Sequence, residues 1–166
     1  TVDPFNSTEK ALFQFSRKNK PGSRPLSEFY DVIGEIKFNS NSKYQVKIVK
    51  TFEQDLSNEK KTEKYFLWVR GAHDIMFSKS KSIIQPDGRG VFTEQKYFDN
   101  LENKILEWCF NGRRIICLCQ KLLSRDDIEK IKQMNDLNKW FTQECNDLVV
   151  MGIIGLMDPL RPWYSF

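Results

Sequence analysis

Five short segments, rich in β-branched and aromatic residues, dictate that this chain folds around a sheet: residues 34–38, 44–51, 65–69, 114–122 and 148–157. The first two flank Asn39-Ser40-Asn41-Ser42, residue types that bond their own backbone in turns, and so predict a hairpin. In its second strand Val46, Ile48 and Thr51 are assigned to one side, Lys47 and Lys50 to the other. Tyr65-Phe66-Leu67-Trp68-Val69 is strongly β-prone and stops at Arg70-Gly71-Ala72, after which a short helix carries Ile75, Met76 and Phe77. The last two segments are apolar almost throughout, the pattern of strands covered on both faces.

Helices separate these strands. Within residues 93–111, Phe98, Leu101, Ile105 and Trp108 recur at helical spacing, and Gly112 lies just past the end as a C-cap. Asn6-Ser7-Thr8-Glu9 opens another helix, with Asn6 as the cap and Glu9 three residues on. That helix is expected to end near Lys18, and a short one to follow at residues 26–31. Ser124 caps a third, whose acidic first turn suits the positive end of the helix. Residues 53–64 are nearly all polar and read as a surface loop, and Pro86-Asp87-Gly88-Arg89-Gly90 as a turn. The mixed order predicts an α/β (α+β-like) domain: a mainly antiparallel twisted sheet flanked by helices.

The 166 residues suit one domain, and the 13% aromatic content excludes a disordered chain. The longest apolar run, residues 148–157, is half the length of about 20 that a spanning helix needs, and no signal peptide opens the chain. A net charge of +4, scattered along the chain and without an RNP-like segment, argues against a nucleic-acid module. Cys109, Cys117, Cys119 and Cys145 form no CxxC pair and His73 is the only histidine, which argues against a metal site. Cys117 and Cys119, alternating in an apolar strand, read as buried free thiols of a reducing, cytosolic compartment.

Enzyme motifs are missing. There is no Walker pattern, GxGxxG or HExxH, and His73 reads as a helix-start residue rather than a catalytic one. A different set of residues is informative. Phe38 ends the first hairpin strand, Lys43 and Gln45 begin the second, Arg70-Gly71 ends the third, and Arg114 begins the fourth. If these strands share a sheet, an aromatic, an amide and several cations meet at one end. A purine nucleotide needs that set: an aromatic face, a glycine that lets backbone come close, and cations for phosphate. Taken singly, Phe38 reads as core, and Lys43 and Arg114 as solvated strand ends.

Phe38-Asn39-Ser40-Asn41-Ser42-Lys43-Tyr44-Gln45 is very similar to the PFNSTNKYQ-type segment of the nucleotide-binding (N) domain of P-type cation ATPases, nearest to the sodium/potassium and proton/potassium branch. Ser7 to Leu12 resembles that family's SESAL segment, Val69 to Asp74 its KGAPE segment, Asn111 to Ile115 its GxRV strand start, and Gly152 to Arg161 its GLxxxxDPPR hinge. The resemblance implies that Glu9 lies near the adenine amino group and that Phe38 stacks on the base. Lys43 and Gln45 would line the pocket, Arg70 and Gly71 form its floor, and Arg114 reach toward ribose or phosphates. It departs at Arg70, where the family has lysine, at His73-Asp74 for Pro-Glu, at Leu160 for the second proline, and at Lys37 before the phenylalanine.

Neither the DKTGT segment that carries the family's phosphorylated aspartate nor its GDGxND metal-binding segment occurs. The resemblance therefore implies a divergent, excised cytoplasmic domain of a membrane-embedded, plasma-membrane pump: residues 1–158 the nucleotide-binding domain, residues 159–166 the start of the hinge. It would bind ATP or ADP (Mg-ATP in the parent), hold no metal and perform no catalysis alone. Its partners would be the phosphorylation and actuator domains, with no nucleic acid, no direct membrane contact and a monomeric isolated chain. The alternative is a degenerate domain kept for regulation or protein contact, with little nucleotide affinity.

Overall fold

The five predicted strands assemble, with two more, into one sheet of seven among the described residues. The computed structural model describes residues 7–54 and 61–157. In chain order the elements are α1 (Ser7–Asn19), a 3-10 turn (Leu26–Glu28), β1 (Asp31–Ile36), β2 (Tyr44–Gln54), β3 (Lys61–Gly71), α2 (His73–Lys79), β4 (Ser80–Ile84), β5 (Val91–Phe92), α3 (Gln95–Phe110), β6 (Arg114–Leu123), α4 (Arg125–Met134), α5 (Leu137–Gln143) and β7 (Leu148–Leu156). The sheet order is β1-β2-β3-β6-β7-β4-β5. Every pairing is antiparallel except β4 with β7. The expected α/β class holds, with a mainly antiparallel sheet flanked by helices.

Alternation along the central strands sorts their side chains. Val46 and Ile48 of β2, Leu67 and Val69 of β3, Cys117 and Cys119 of β6, and Leu148 and Val150 of β7 are all buried in one core. Helices cover that face with Met76, Phe98, Trp140 and Phe141. Tyr44 joins sheet to helix twice: its ring centroid lies 4.7 Å from that of Phe141, and its hydroxyl donates to Asn138 Oδ1 at 2.7 Å. Cys117, Cys119 and Cys145 are free and buried, Cys109 free and exposed. Burial pushes the Cys145 thiol up to about 11. The Sγ atoms of Cys117 and Cys119 lie 3.8 Å apart, and that contact together with burial holds Cys117 in its neutral form.

Four expectations change. Residues 53–64 are not all loop: Glu53 and Gln54 continue β2, and residues 61–64 begin β3, with the ladder running from Tyr44 opposite Gly71 to Gln54 opposite Lys61. Charged residues are tolerated there because they pair across strands. Lys50 Nζ lies 2.5 Å from Glu63, and the Tyr65 hydroxyl donates to Glu63 at 2.7 Å. Those hydrogen bonds, from Lys50 and then Tyr65, hold the Glu63 carboxyl below its ordinary value. Residues 55–60 lie outside the described residues. Second, Lys50 falls on the side of Val46 and Ile48 and Thr51 on the other, since the β2 ladder is regular and its period is two. Third, the helix expected at 26–31 is a single 3-10 turn, because Asp31 is already paired with Lys50. Fourth, β1 ends at Ile36, so Phe38 stands in the loop beyond it.

Three elements have no strong signal in the sequence. β4 is half polar, β5 is two residues long, and α5 is under two turns. α5 is set by its cap, the Asp136 side chain accepting from the Lys139 N–H at 3.0 Å, and by burial of Trp140 and Phe141. Asn6, the expected cap of α1, and the hinge at 159–166 lie outside the described residues.

The expected cap of α4 is a complete capping box. Ser124 Oγ accepts from the Asp127 N–H at 3.1 Å and Asp127 Oδ2 accepts from the Ser124 N–H at 3.0 Å. Lys121 Nζ adds an ion pair to Asp127 at 3.2 Å. Burial raises the Asp127 carboxyl, but the bonds from Ser124 and Lys121 outweigh it and leave it below the ordinary 3.8. A depressed carboxyl contributes stability that is complete above its ordinary value and fades as pH falls through its folded one. Ser124→Ala is expected to cost about 1 kcal/mol of stability. Asp127→Asn is expected to be less stable than the wild type at pH 7, with the gap narrowing as pH drops below 3.8. Urea unfolding at both pH values reads this, and an unchanged gap would refute it.

Candidate functional site

The start of β2, the end of β3 and the start of β6 lie side by side, because both pairings are antiparallel: Tyr44 faces Gly71, and Gly71 faces Cys117. Lys43, Arg70 and Arg114 are thereby brought to one end of the sheet. The loop from β1 supplies Phe38, and Asn39 folds it. Asn39 Oδ1 accepts from the Asn41 N–H at 2.8 Å, and the Asn39 carbonyl accepts from the Lys43 N–H at 2.7 Å. This tight turn leaves Lys43 in the left-handed region, at φ 57°. Its carbonyl then accepts from the Ala72 N–H at 3.0 Å.

Gly71 is what permits that approach. A Cβ at this position would stand 2.9 Å from the Lys43 carbonyl oxygen, 2.9 Å from Tyr44 Cβ and 3.1 Å from Met76 Cε. The glycine was expected to permit close backbone approach and to sit at the pocket floor; the backbone that comes close here is the chain's own, and Gly71 also lines the cavity.

A cavity of about 280 Å³ opens at this end, lined by Phe38, Lys43, Arg70, Gly71 and Arg114 together with Thr8 of α1 and Ile116 of β6. Five of the seven residues singled out in the sequence thus share one cavity. Phe38 is 56% exposed, with a face open to solvent. Glu9 and Gln45 line a second, larger hollow of about 690 Å³ on the outer face of the sheet, under α1, with Phe13, Trp68, Leu118 and Met151. Arg70 lines both. Its Nη2 lies 2.7 Å from Glu9 Oε1. Gln45 Nε2 donates to Glu35 Oε1 at 2.9 Å, and Glu35 also lies 3.6 Å from Lys47 Nζ. His73 opens α2, its ring edge-on to Phe77 at 6.2 Å.

Sequence reasoning missed Trp68, Ile116 and Leu118, although alternation from Arg70 and Arg114 puts them on the same outer face. Met151 had no such signal. The β6–β7 ladder pairs Leu118 with Gly152 and Cys119 with Val150, so Met151 is the extra residue of a bulge.

A family model described as P-type ATPase, cytoplasmic domain N, matches residues 6–163. The chain belongs to this family. It is 23% identical over 158 residues to the human sodium/potassium-transporting ATPase subunit alpha-3, and equally to that of Rattus norvegicus. The Gallus gallus protein is 22% identical over 163 residues. Each match takes in 94% of this chain but only 14–15% of the relative, so the chain spans about one seventh of those proteins. It is a divergent N domain, and no helix among its described residues is long and apolar enough to cross a membrane.

In this N domain the junction of β2 and β3 sets the shape of the cavity, so a methyl group at 71 must push Lys43 and Tyr44 away. Gly71→Ala is expected to destabilise the domain by about 1–3 kcal/mol, the scale of overpacking. Gly90→Ala, where a Cβ meets only the end of the Gln85 side chain, is expected to cost less. Parallel denaturant titrations test the ranking, and the reverse order would contradict it.

Proposed function

We propose that this domain binds ATP at the open end of its sheet, the adenine against Phe38 and the phosphates toward Lys43, Arg70 and Arg114. Within a sodium/potassium-pump-like parent it presents the γ-phosphate to an aspartate on another domain. One observation carries the reading: an exposed aromatic face and three cations line a single cavity. Membership in the N-domain family supports it, and the chain's similarity to sodium/potassium-transporting ATPase subunits supports the kind of parent.

In phosphoryl transfer the protein contributes mainly position and charge neutralisation. The part of this domain is to hold the base and steer the phosphate chain outward. Lys43 is a point charge on a flexible stem, whereas Arg70 and Arg114 offer planar forks that match phosphate oxygens. The phosphorylation and actuator domains of the parent supply the acceptor and the movement that releases product.

A stacked base and a few surface charge contacts support weak binding, with a dissociation constant on the order of 0.1–1 mM, or roughly 4–5.5 kcal/mol. Binding is expected to weaken with salt, and ATP and ADP to bind within a few fold of each other. The chain contains no DKTGT segment, so it is expected to release no phosphate by itself. Phe38→Ala is expected to lose about 1–3 kcal/mol of affinity, the scale of base stacking on an aromatic ring, and Phe38→Tyr little. NMR titration of wild type and both variants, followed by a phosphate-release assay, tests this. Equal affinity for wild type and Phe38→Ala, or sustained phosphate release, would overturn it.

A second reading, a protein-contact domain with little nucleotide affinity, is favoured by one observation: Arg70 is already engaged by Glu9 at 2.7 Å. Absence of any nucleotide-induced shift in the same titration would establish that reading instead.

A further inference from the structure

Of the side chains lining the two cavities, Arg70 alone belongs to both, and its partner Glu9 stands in the first turn of α1. The two side chains are 26% and 32% exposed, so the pair is half in water and can exchange partners. Thr8, next to Glu9, lines the smaller cavity. No residue of α1 is fully buried, and Thr8, Glu9, Ala11 and Leu12 are half-buried. An anion that enters the smaller cavity therefore meets a guanidinium whose charge is already offset by the Glu9 carboxylate.

We propose that Glu9 is the intramolecular counter-ion of Arg70, and that the phosphate of a bound nucleotide competes with the Glu9 carboxylate for that one guanidinium. Glu9 thus sets the anion affinity of the site rather than reading the base. A guanidinium has five N–H donors in a fixed fork, and a carboxylate and a phosphate prefer the same paired geometry. The Glu9 carboxylate occupies one Nη2 donor and offsets the positive charge, so a phosphate that engages the fork does so against it. The ligand class rests on the proposed nucleotide function; the competition itself holds for any polyphosphate.

The test is calorimetric titration of ATP, adenosine and inorganic tripolyphosphate into the wild type, Glu9→Gln, Glu9→Asp, Arg70→Gln and the Glu9→Gln/Arg70→Gln double variant. Glu9→Gln is expected to bind ATP and tripolyphosphate about three- to fivefold more tightly, the scale of a partly exposed charge pair, and adenosine unchanged. Glu9→Asp, which keeps the charge, is expected to show no such gain. In the Arg70→Gln background the gain is expected to vanish, which separates a specific pair from a general loss of negative charge. No gain in Glu9→Gln, or a gain that survives without Arg70, would overturn the proposal. So would weaker binding of both ATP and adenosine to Glu9→Gln, since Glu9 would then be serving the base. If tripolyphosphate shows the Arg70-dependent gain while ATP binds no better than tripolyphosphate, the counter-ion role stands and the nucleotide reading fails.

Discussion

The site depends on one close approach between backbones. Gly71 at the end of β3 lies directly opposite Tyr44, and the Lys43 carbonyl occupies the space a side chain at 71 would need. Three things follow from that contact. Lys43 turns left-handed to bring its carbonyl to the Ala72 N–H, which anchors the start of α2. The loop carrying Phe38 is drawn over the sheet end by the Asn39 bonds. Arg70, one residue back from the glycine and on the other face, is aimed away from the core toward both cavities. A side chain at 71 would press on the Lys43 carbonyl and on Tyr44, and thereby on the turn that sets Lys43.

The two faces of the sheet are stabilised very differently. On one, Val46, Leu67, Cys117 and Val150 are fully or almost fully enclosed under Met76, Trp140 and Phe141. On the other, no residue of α1 is fully buried and Glu9 links that helix to Arg70, while Trp68 is met edge-on by Tyr30 at 4.8 Å. Local stability follows apolar burial, so the helix-covered face is the better-packed scaffold. The cavities border the second kind of surface, where the ladder fixes the strand positions.

Much of this was legible in the sequence, and the limits have physical causes. The hairpin around Asn39, the helix of Phe98 and Ile105 and the Ser124 cap are local patterns, and each formed. The residue types of the cavity were legible too, since strand ends in a shared sheet must meet. What the sequence could not convey was pairing. It placed Phe38 in a strand although β1 stops two residues earlier, and it took charged residues 61–64 for loop when cross-strand partners hold them in β3. Glu9 and Gln45 were grouped with Phe38, but their partners, Arg70 and Glu35, hold them to the neighbouring hollow. Such choices are made by long-range contacts, which leave no local trace.

Arginine at position 70 has a consequence that a lysine would not. A lysine ammonium is a compact, strongly hydrated charge that can turn away from a carboxylate with little loss. A guanidinium presents its donors in a fixed plane, and one of them is held by Glu9. On the proposed reading, phosphate takes the fork in exchange for Glu9: the smaller cavity gains an anion, and the carboxylate stays in the outer hollow it already lines. Weak, partly exposed contacts suit such an exchange, because neither partner of the guanidinium costs much to release.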